Sequence, residues 1–164
     1  KIKEIIVAIN EIKPVTLHII GDGESKQELI DAAELAGASV VYHGKIYDPQ
    51  KKQDIFDKCH FGLNIMKSSV CVGLTIKSID YFQHGIPIIN NIQADTFEII
   101  SKFRVGVNIL KVTHNCNLQN DIIKLLKEKI DIRKRCKIVF LYLFLEKKFM
   151  KKLDIILDNV LKIK

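Results

Sequence analysis

A chain of 164 residues, 48% apolar and 27% charged, has the length and balance of one soluble globular domain with a proper core. Its longest apolar run, Ile138 to Leu145, is far too short to span a bilayer, and no stretch resembles a signal or transit peptide. The net charge of +7 is unevenly placed: residues 1–120 carry 13 Lys/Arg against 13 Asp/Glu, and residues 121–164 carry 13 against 6.

Hydrophobic periodicity predicts a helix from Ile2 to Ile12, then a short strand, Val15 to Ile20, entered after Pro14. Glu24 to Ala36 reads as a helix with early acidic residues and Gly37 at its end. Ser39 to Tyr42 is a strand. Asp48-Pro49 starts a helix running to about Lys58, with proline in the first turn. Phe61 to Met66 is the next strand. A helix follows Gly73 and ends at Gly85, and Pro87 then fixes the start of the strand Ile86 to Asn90. Asp95 is expected to cap a helix reaching about Phe103, and Val105 to Ile109 is a last short strand with Gly106 at its entrance. Lys111 to Gln119 reads as a loop. Only helices follow: Leu118 to Lys129, Ile132 to about Lys147, and Phe149 to Leu161. Short apolar strands alternating with helices imply an α/β, Rossmann-like, mainly parallel sheet with helices on both faces. Ligands of such sheets bind at the carboxyl ends of the strands, and Gly21, Gly44, Met66 to Gly73 and Asn90 to Asp95 all follow strand ends.

The four cysteines, Cys59, Cys71, Cys116 and Cys136, show no paired spacing and read as free thiols in a reducing cytosol. Cys59-His60 lacks two further ligands nearby, so no metal site is expected. Nucleic-acid binding has no RNA-binding aromatic signature, zinc finger or helix-turn-helix behind it. The basic C-terminal segment suits either a solvated helix surface or an anionic membrane surface, because Lys147, Lys148, Lys151 and Lys152 flank Phe144, Leu145, Phe149 and Met150.

The segment Val72 to Asn90 carries the most chemistry. A glycine loop feeding a helix N-terminus offers free backbone N–H groups and the positive end of a helix dipole to an anion. The segment resembles the nucleotide-sugar-binding signature of GT-B glycosyltransferases, nearest to the retaining family 4. That signature is a glutamate, a glycine-rich turn, a second acidic residue eight positions on, and a helix ending in Gly-x-Pro-Val/Ile. Asp80 stands at the second acidic position, Gly85-Ile86-Pro87-Ile88 supplies the ending, and Lys77 matches a lysine of one branch. Leu17 to Gly23 resembles the family's strand ending in Gly-x-Gly, and Val40 to Ile46 its next strand and glycine. The resemblance covers roughly residues 1–110 and implies the C-terminal, donor-binding half of a GT-B fold over 1–164, with 118–164 as C-terminal helices. It implies too that an N-terminal acceptor-binding domain is missing. The partner half would then be lost from a truncated product or supplied as a separate polypeptide.

On that resemblance the nucleotide-sugar-binding residues are Gly21, Gly23, Gly44, Ser68, Ser69, Gly73, Leu74, Thr75, Lys77 and Asp80. Asp80 would grip the ribose hydroxyls, since a carboxylate accepts two hydrogens; otherwise it is a surface residue of a helix. Gly73, Leu74 and Thr75 would offer backbone N–H groups to the diphosphate, and Lys77 a mobile cation. Lys77 also reads as an ordinary solvated lysine, and Gly21 and Gly23 as a plain strand-to-helix turn. The base would sit near Gly44 to Tyr47, while His18 and His43 read as strand histidines rather than catalysts. Ser68 and Ser69 could meet sugar hydroxyls. Val72 departs from the signature: it stands where the first glutamate is expected and can neither accept a hydrogen bond nor carry charge. No catalytic residue is assigned, and no metal or other cofactor is expected.

The reading is therefore a glycosyltransferase donor domain. It would use a nucleotide sugar, UDP-linked by preference, to extend a glycan or lipid-linked acceptor in polysaccharide biosynthesis. Its place would be the cytoplasm or the cytoplasmic face of a membrane. The alternative is a non-catalytic sugar-nucleotide-binding subunit or a degenerate fragment, which Val72 favours. A nucleotide-sugar epimerase would need acid/base residues that the motif region hardly offers. A dinucleotide oxidoreductase lacks the third glycine after Gly21 and Gly23.

Overall fold

The computed structural model describes residues 2–67, 69–109, 115–145 and 151. The order is α1 (Ile2–Asn10), β1 (Thr16–Ile19), α2 (Lys26–Leu35), β2 (Ser39–Tyr42), α3 (Pro49–Lys58), β3 (Gly62–Asn64), α4 (Ile76–Gln83), β4 (Ile88–Asn90), α5 (Asp95–Phe103), β5 (Gly106–Asn108), α6 (Asn115–Lys127) and α7 (Lys129–Leu143). Local chemistry explains the boundaries. Asp48 caps α3 by accepting hydrogen bonds from the Gln50 and Lys51 amides, with Pro49 in the first turn. Gly85, at φ 72°, closes α4 in a Schellman turn: the Ile86 amide bonds the Tyr81 carbonyl at 2.8 Å and the Gly85 amide the Phe82 carbonyl at 3.0 Å.

Two expectations change. Asp95 lies inside α5 and does not cap it; Ala94, at φ 66°, holds the cap position. The Gly73 carbonyl does a cap's work by accepting both the Thr96 amide (2.9 Å) and the Thr96 hydroxyl (2.7 Å). The expected loop 111–119 is helical from Asn115 onward. The expected helix 149–161 and the basic, aromatic cluster around Lys147 and Phe149 fall almost wholly outside the described residues.

Every strand pairing is parallel. The strands form two sheets rather than one, β1–β2 and β3–β4–β5. Ile88 and Ile89 point to opposite faces of β4, and both are fully buried, so both faces are covered. The larger core gathers Ile5 and Ala8 of α1, Phe82 of α4, Ile88, Ile89 and Val107 of the strands, and Ile122, Ile132 and Cys136 of α6 and α7. A smaller core joins Ile6 of α1 to Ala33, Ala36 and Ala38 around α2. Neighbouring Ile5 and Ile6 thus place α1 in both. Arg133 ties α7 to the end of α3, donating to the Cys59 carbonyl (3.0 Å) and the Asp57 carboxylate (2.9 Å). Among the described residues no helix is long and apolar enough to cross a membrane, and no cluster of His, Cys, Asp or Glu is arranged to hold a metal.

Candidate functional site

The parallel strands all turn over at their carboxyl ends into loops, and two glycines shape the first pair. Gly21 (φ 119°) and Gly44 (φ 67°) adopt backbone conformations that side chains disfavour. The Gly21 amide donates to the Gly44 carbonyl at 2.7 Å, locking the β1 and β2 loops together. Next to Gly21, Asp22 is engaged by Lys26 (3.3 Å) and the Tyr42 hydroxyl (3.1 Å). Lys26 chiefly, then the Tyr42 hydroxyl, holds its carboxyl below the usual range.

Beyond these loops lies an open cavity of about 320 Å³, lined by Ile20, Gly21, Lys45, Ile46, Tyr47, Lys52, Phe56, Lys77, Asp80 and Tyr81. That volume is within the range of small-molecule sites. Four elements converge there: the β1 loop, the β2 loop, α3 and α4. Asp80 is gripped by the Lys52 ammonium at 3.1 and 3.2 Å, one contact to each oxygen. His84, one turn on, sets its Nε2 3.4 Å from Asp80 Oδ1. The Gln53 amide donates to Asp57 at 2.7 Å, which leaves its oxygen to accept from His84 Nδ1 at 2.7 Å. Nδ1 thus carries a proton, and burial, opposed by the nearby Asp80 carboxylate, holds the His84 pKa below its ordinary value. Each Asp80 oxygen retains a lone pair for a further donor. Lys45 and Lys77 complete a cationic wall around this single carboxylate. Tyr81, behind it, is half-buried, and burial pushes its phenol up to about 12.

Gly21, Lys77 and Asp80 therefore share one cavity, with Gly44 immediately behind it. Gly23 stays on the outer turn, its amide bonded to its neighbour Asp22. Gly73 is not placed there either; it packs against the start of α5, where a Cβ would stand 2.8 Å from an Asp95 carboxylate oxygen. Half-buried Leu74 follows it. Thr75 caps α4, and its side chain is committed inward: it donates to Asn64 Oδ1 (3.0 Å) and accepts from the Ser78 amide (3.1 Å). The next two α4 amides, of Ile76 and Lys77, bond to no described residue. Ser69 is exposed on the β3–α4 turn, and Ser68 lies outside the described residues. His18 and His43 hydrogen-bond each other at 2.9 Å with rings nearly parallel, away from this cavity.

Two features escaped the sequence reading. One is Lys52, whose partner is 28 residues away. The other is a ladder of asparagines, Asn64, Asn90 and Asn108, at matched registers on the last residues of β3, β4 and β5. Asn64 donates to Asn90 (3.0 Å) and Ser78 (2.9 Å), and Asn90 donates to Asn108 (2.8 Å). Asn64 and Asn90 are fully buried. This network fixes the start of α4 to the strand ends. Its only local sign is an Asn within each of three apolar runs, Phe61 to Met66, Ile86 to Asn90 and Val105 to Ile109.

No protein-family model and no curated protein sequence matches the chain. Among solved structures it is similar to the catalytic domain of cholesterol-alpha-glucosyltransferase from Helicobacter pylori, with a TM-score of 0.57 and 15% identity over 85% of this chain and 83% of that one. At that identity the likeness shows the fold, which is GT-B glycosyltransferase-like, as the residues of the motif implied.

Proposed function

We propose that this chain is the donor-binding domain of a glycosyltransferase and holds a nucleotide sugar, UDP-linked by preference, in the Lys45–Lys52–Lys77–Asp80 cavity. The observation that carries this reading is the meeting of one carboxylate with three lysines at the carboxyl rim of a GT-B-like fold. The three ammonium groups suit a diphosphate, and the remaining Asp80 lone pairs suit ribose hydroxyls. The amides of Ile76 and Lys77 add donors at the positive end of α4. Lys77, at that helix start, would offset charge developing on a departing diphosphate. No protein nucleophile is invoked. Catalysis of this retaining type would rest on positioning and charge stabilisation, with no metal.

Val72 leaves a gap in the expected acidic pair, and Asp95 bears on it. Its carboxylate stands against Gly73, next to Val72, on an exposed surface. On this reading Asp95 would be the acid that faces the sugar in place of the missing glutamate. The acceptor would be bound by a second domain, in cis or as a separate chain. The second reading, a non-catalytic sugar-nucleotide-binding subunit, keeps the same cavity and assigns Asp95 no role.

The test is calorimetric titration with UDP, GDP and their hexose conjugates, beside Asp80→Ala and Lys45→Ala variants. Binding of one nucleotide, weakened at least about tenfold by Asp80→Ala, supports the donor site. Binding of none by the folded chain refutes it. Asp95→Asn separates the two readings. It should weaken binding of the hexose conjugate and spare the free nucleotide if Asp95 faces the sugar.

A further inference from the structure

The strand β5 ends the order β3–β4–β5. Its ladder to β4 uses alternate residues: the Val105 carbonyl accepts from the Ile88 amide (3.1 Å), and the Ile109 amide donates to the Asn90 carbonyl (2.7 Å). Gly106 and Asn108, set between them, therefore aim their peptide groups away from β4. On that outer side neither makes a backbone hydrogen bond to any described residue. The strand itself, Gly-Val-Asn, carries no charge or proline of the kind that blunts a solvent-facing edge.

Along this edge, between α5 and α6, runs an open groove of about 400 Å³. Its two ends differ in charge. At the amino end of β5, Arg135 donates to Glu128 (2.7 Å) and to the Arg104 carbonyl (3.3 Å). The Arg135 and Glu128 charges cancel there, and the Arg104 guanidinium is left over. The helix α6 begins after the carboxyl end of β5 and runs back along the groove. Asp121 lies two turns before Glu128 on that helix, about 10 Å nearer the carboxyl end. Arg104 and Asp121 are both exposed, both line the groove, and neither forms an ion pair with a described residue.

A groove that is basic at one end and acidic at the other is complementary to itself when turned end for end. A two-fold axis does that, and it makes the paired strands antiparallel. Lys124, at the middle of the groove, would meet its own copy, but its long stem lets the ammonium turn to solvent. The strand is only three residues long, so the charges at the groove ends must set its register.

We infer that two copies of this chain associate through β5, antiparallel about a two-fold axis at Val107, and join their β3–β4–β5 sheets into one. Gly106 of each copy exchanges both backbone hydrogen bonds with Asn108 of the other, and Arg104 of each meets Asp121 of the other. The association is independent of what the rim cavity binds.

The experiment is sedimentation of the chain over a range of concentrations, with hydrogen exchange read at the Gly106 and Asn108 amides. A dimer should form as concentration rises and slow exchange at both amides at least about tenfold. The variants Arg104→Asp and Asp121→Arg should each weaken association at least about tenfold, because each places like charges together. Aspartate tolerates the left-handed backbone at position 104, where φ is 53°. Mixing the two variants should restore association, since every pair between unlike copies is then again of opposite sign. If circular dichroism shows Arg104→Asp to be unfolded, Asp121→Arg and the two amides decide alone. A chain that stays monomeric to about 1 mM overturns the inference. So does a dimer in which the two amides exchange as fast as in the monomer, or one that Asp121→Arg leaves as tight as before. A mixture of folded variants that associates no better than either alone overturns it too.

Discussion

Replacing Asn90 by alanine tests whether the asparagine ladder holds the strand ends as described. Asn90 is fully buried and its side chain makes four hydrogen bonds. Its amide donates to the Ile92 carbonyl at 2.7 Å and to Asn108 at 2.8 Å; its oxygen accepts from Asn64 at 3.0 Å and from the Ile92 amide at 3.1 Å. After truncation Asn64 keeps Ser78, and half-exposed Asn108 can turn to water. The two Ile92 backbone groups are left without partners in a residue only 6% exposed. At about 1–3 kcal/mol for each buried group left unpaired, the loss is about 4 kcal/mol. That is a large share of a domain stability of about 5–15 kcal/mol. Urea unfolding followed by circular dichroism would measure it, together with Asn64→Ala and the double variant. Partners in one network should couple by at least about 0.5 kcal/mol. The variant Asn90→Asp adds a signed check. A carboxylate there would face the Ile92 and Asn108 oxygens, so its folded pKa must rise. The variant should then be more damaging at pH about 8 than at about 5, where a protonated acid can still donate. A cost below about 1 kcal/mol for Asn90→Ala, or strict additivity with Asn64→Ala, would refute the ladder's role.

Gly106→Ala should yield no folded protein, or lose more than about 3 kcal/mol in a denaturant melt, because its Cβ would stand 2.1 Å from the Ile88 carbonyl oxygen. Burial is the leading cause that holds His18, His60 and His84 below their ordinary pKa of 6.5. Below pH 6.5 the unfolded chain therefore binds protons that the folded chain refuses, and stability must fall as pH drops from about 6.5 toward the folded values. Urea midpoints at pH about 7.5 and 5 would show this, and His60→Gln should reduce the difference. Exposed Cys71 should alkylate quickly in the native state, whereas Cys136, fully buried and with its thiol pushed up to about 12, should react only on unfolding; mass spectrometry with and without denaturant separates them.

Elements governed by nearby residues were legible in the sequence. Asp48-Pro49 announced α3, Gly85 announced the end of α4, and Ser39 to Tyr42 is the strand it read as. Gly21, Lys77 and Asp80 were chosen on a motif and do share a cavity. What stayed hidden depends on distant partners. Nothing beside Lys52 distinguishes it from Lys51, because its significance comes from a carboxylate on another helix. An Asn in an apolar strand reads as a lone polar residue, and only strand register shows Asn64, Asn90 and Asn108 to be one buried row. Asp95 read as a cap because capping is a local preference; the Gly73 carbonyl that displaces it arrives from 23 residues upstream. The division of the sheet was equally invisible, since each strand has ordinary strand composition and only pairing tells which edges meet.

That division has a mechanical consequence for the rim. One wall of the lysine-lined cavity, Gly21 and Lys45 to Tyr47, hangs from β1 and β2; the opposite wall, Lys77 to Tyr81, belongs to the helix joining β3 to β4. Among the described residues no ladder of hydrogen bonds sets the gap between them. Helices do, α3 by its length and α1 by wedging Ile5 and Ile6 into separate cores. The cavity therefore works like the jaws of a caliper mounted on two helical struts. A molecule that grips both jaws fixes the angle between the half-sheets, and a side chain that shortens either strut changes the jaw width without touching the cavity.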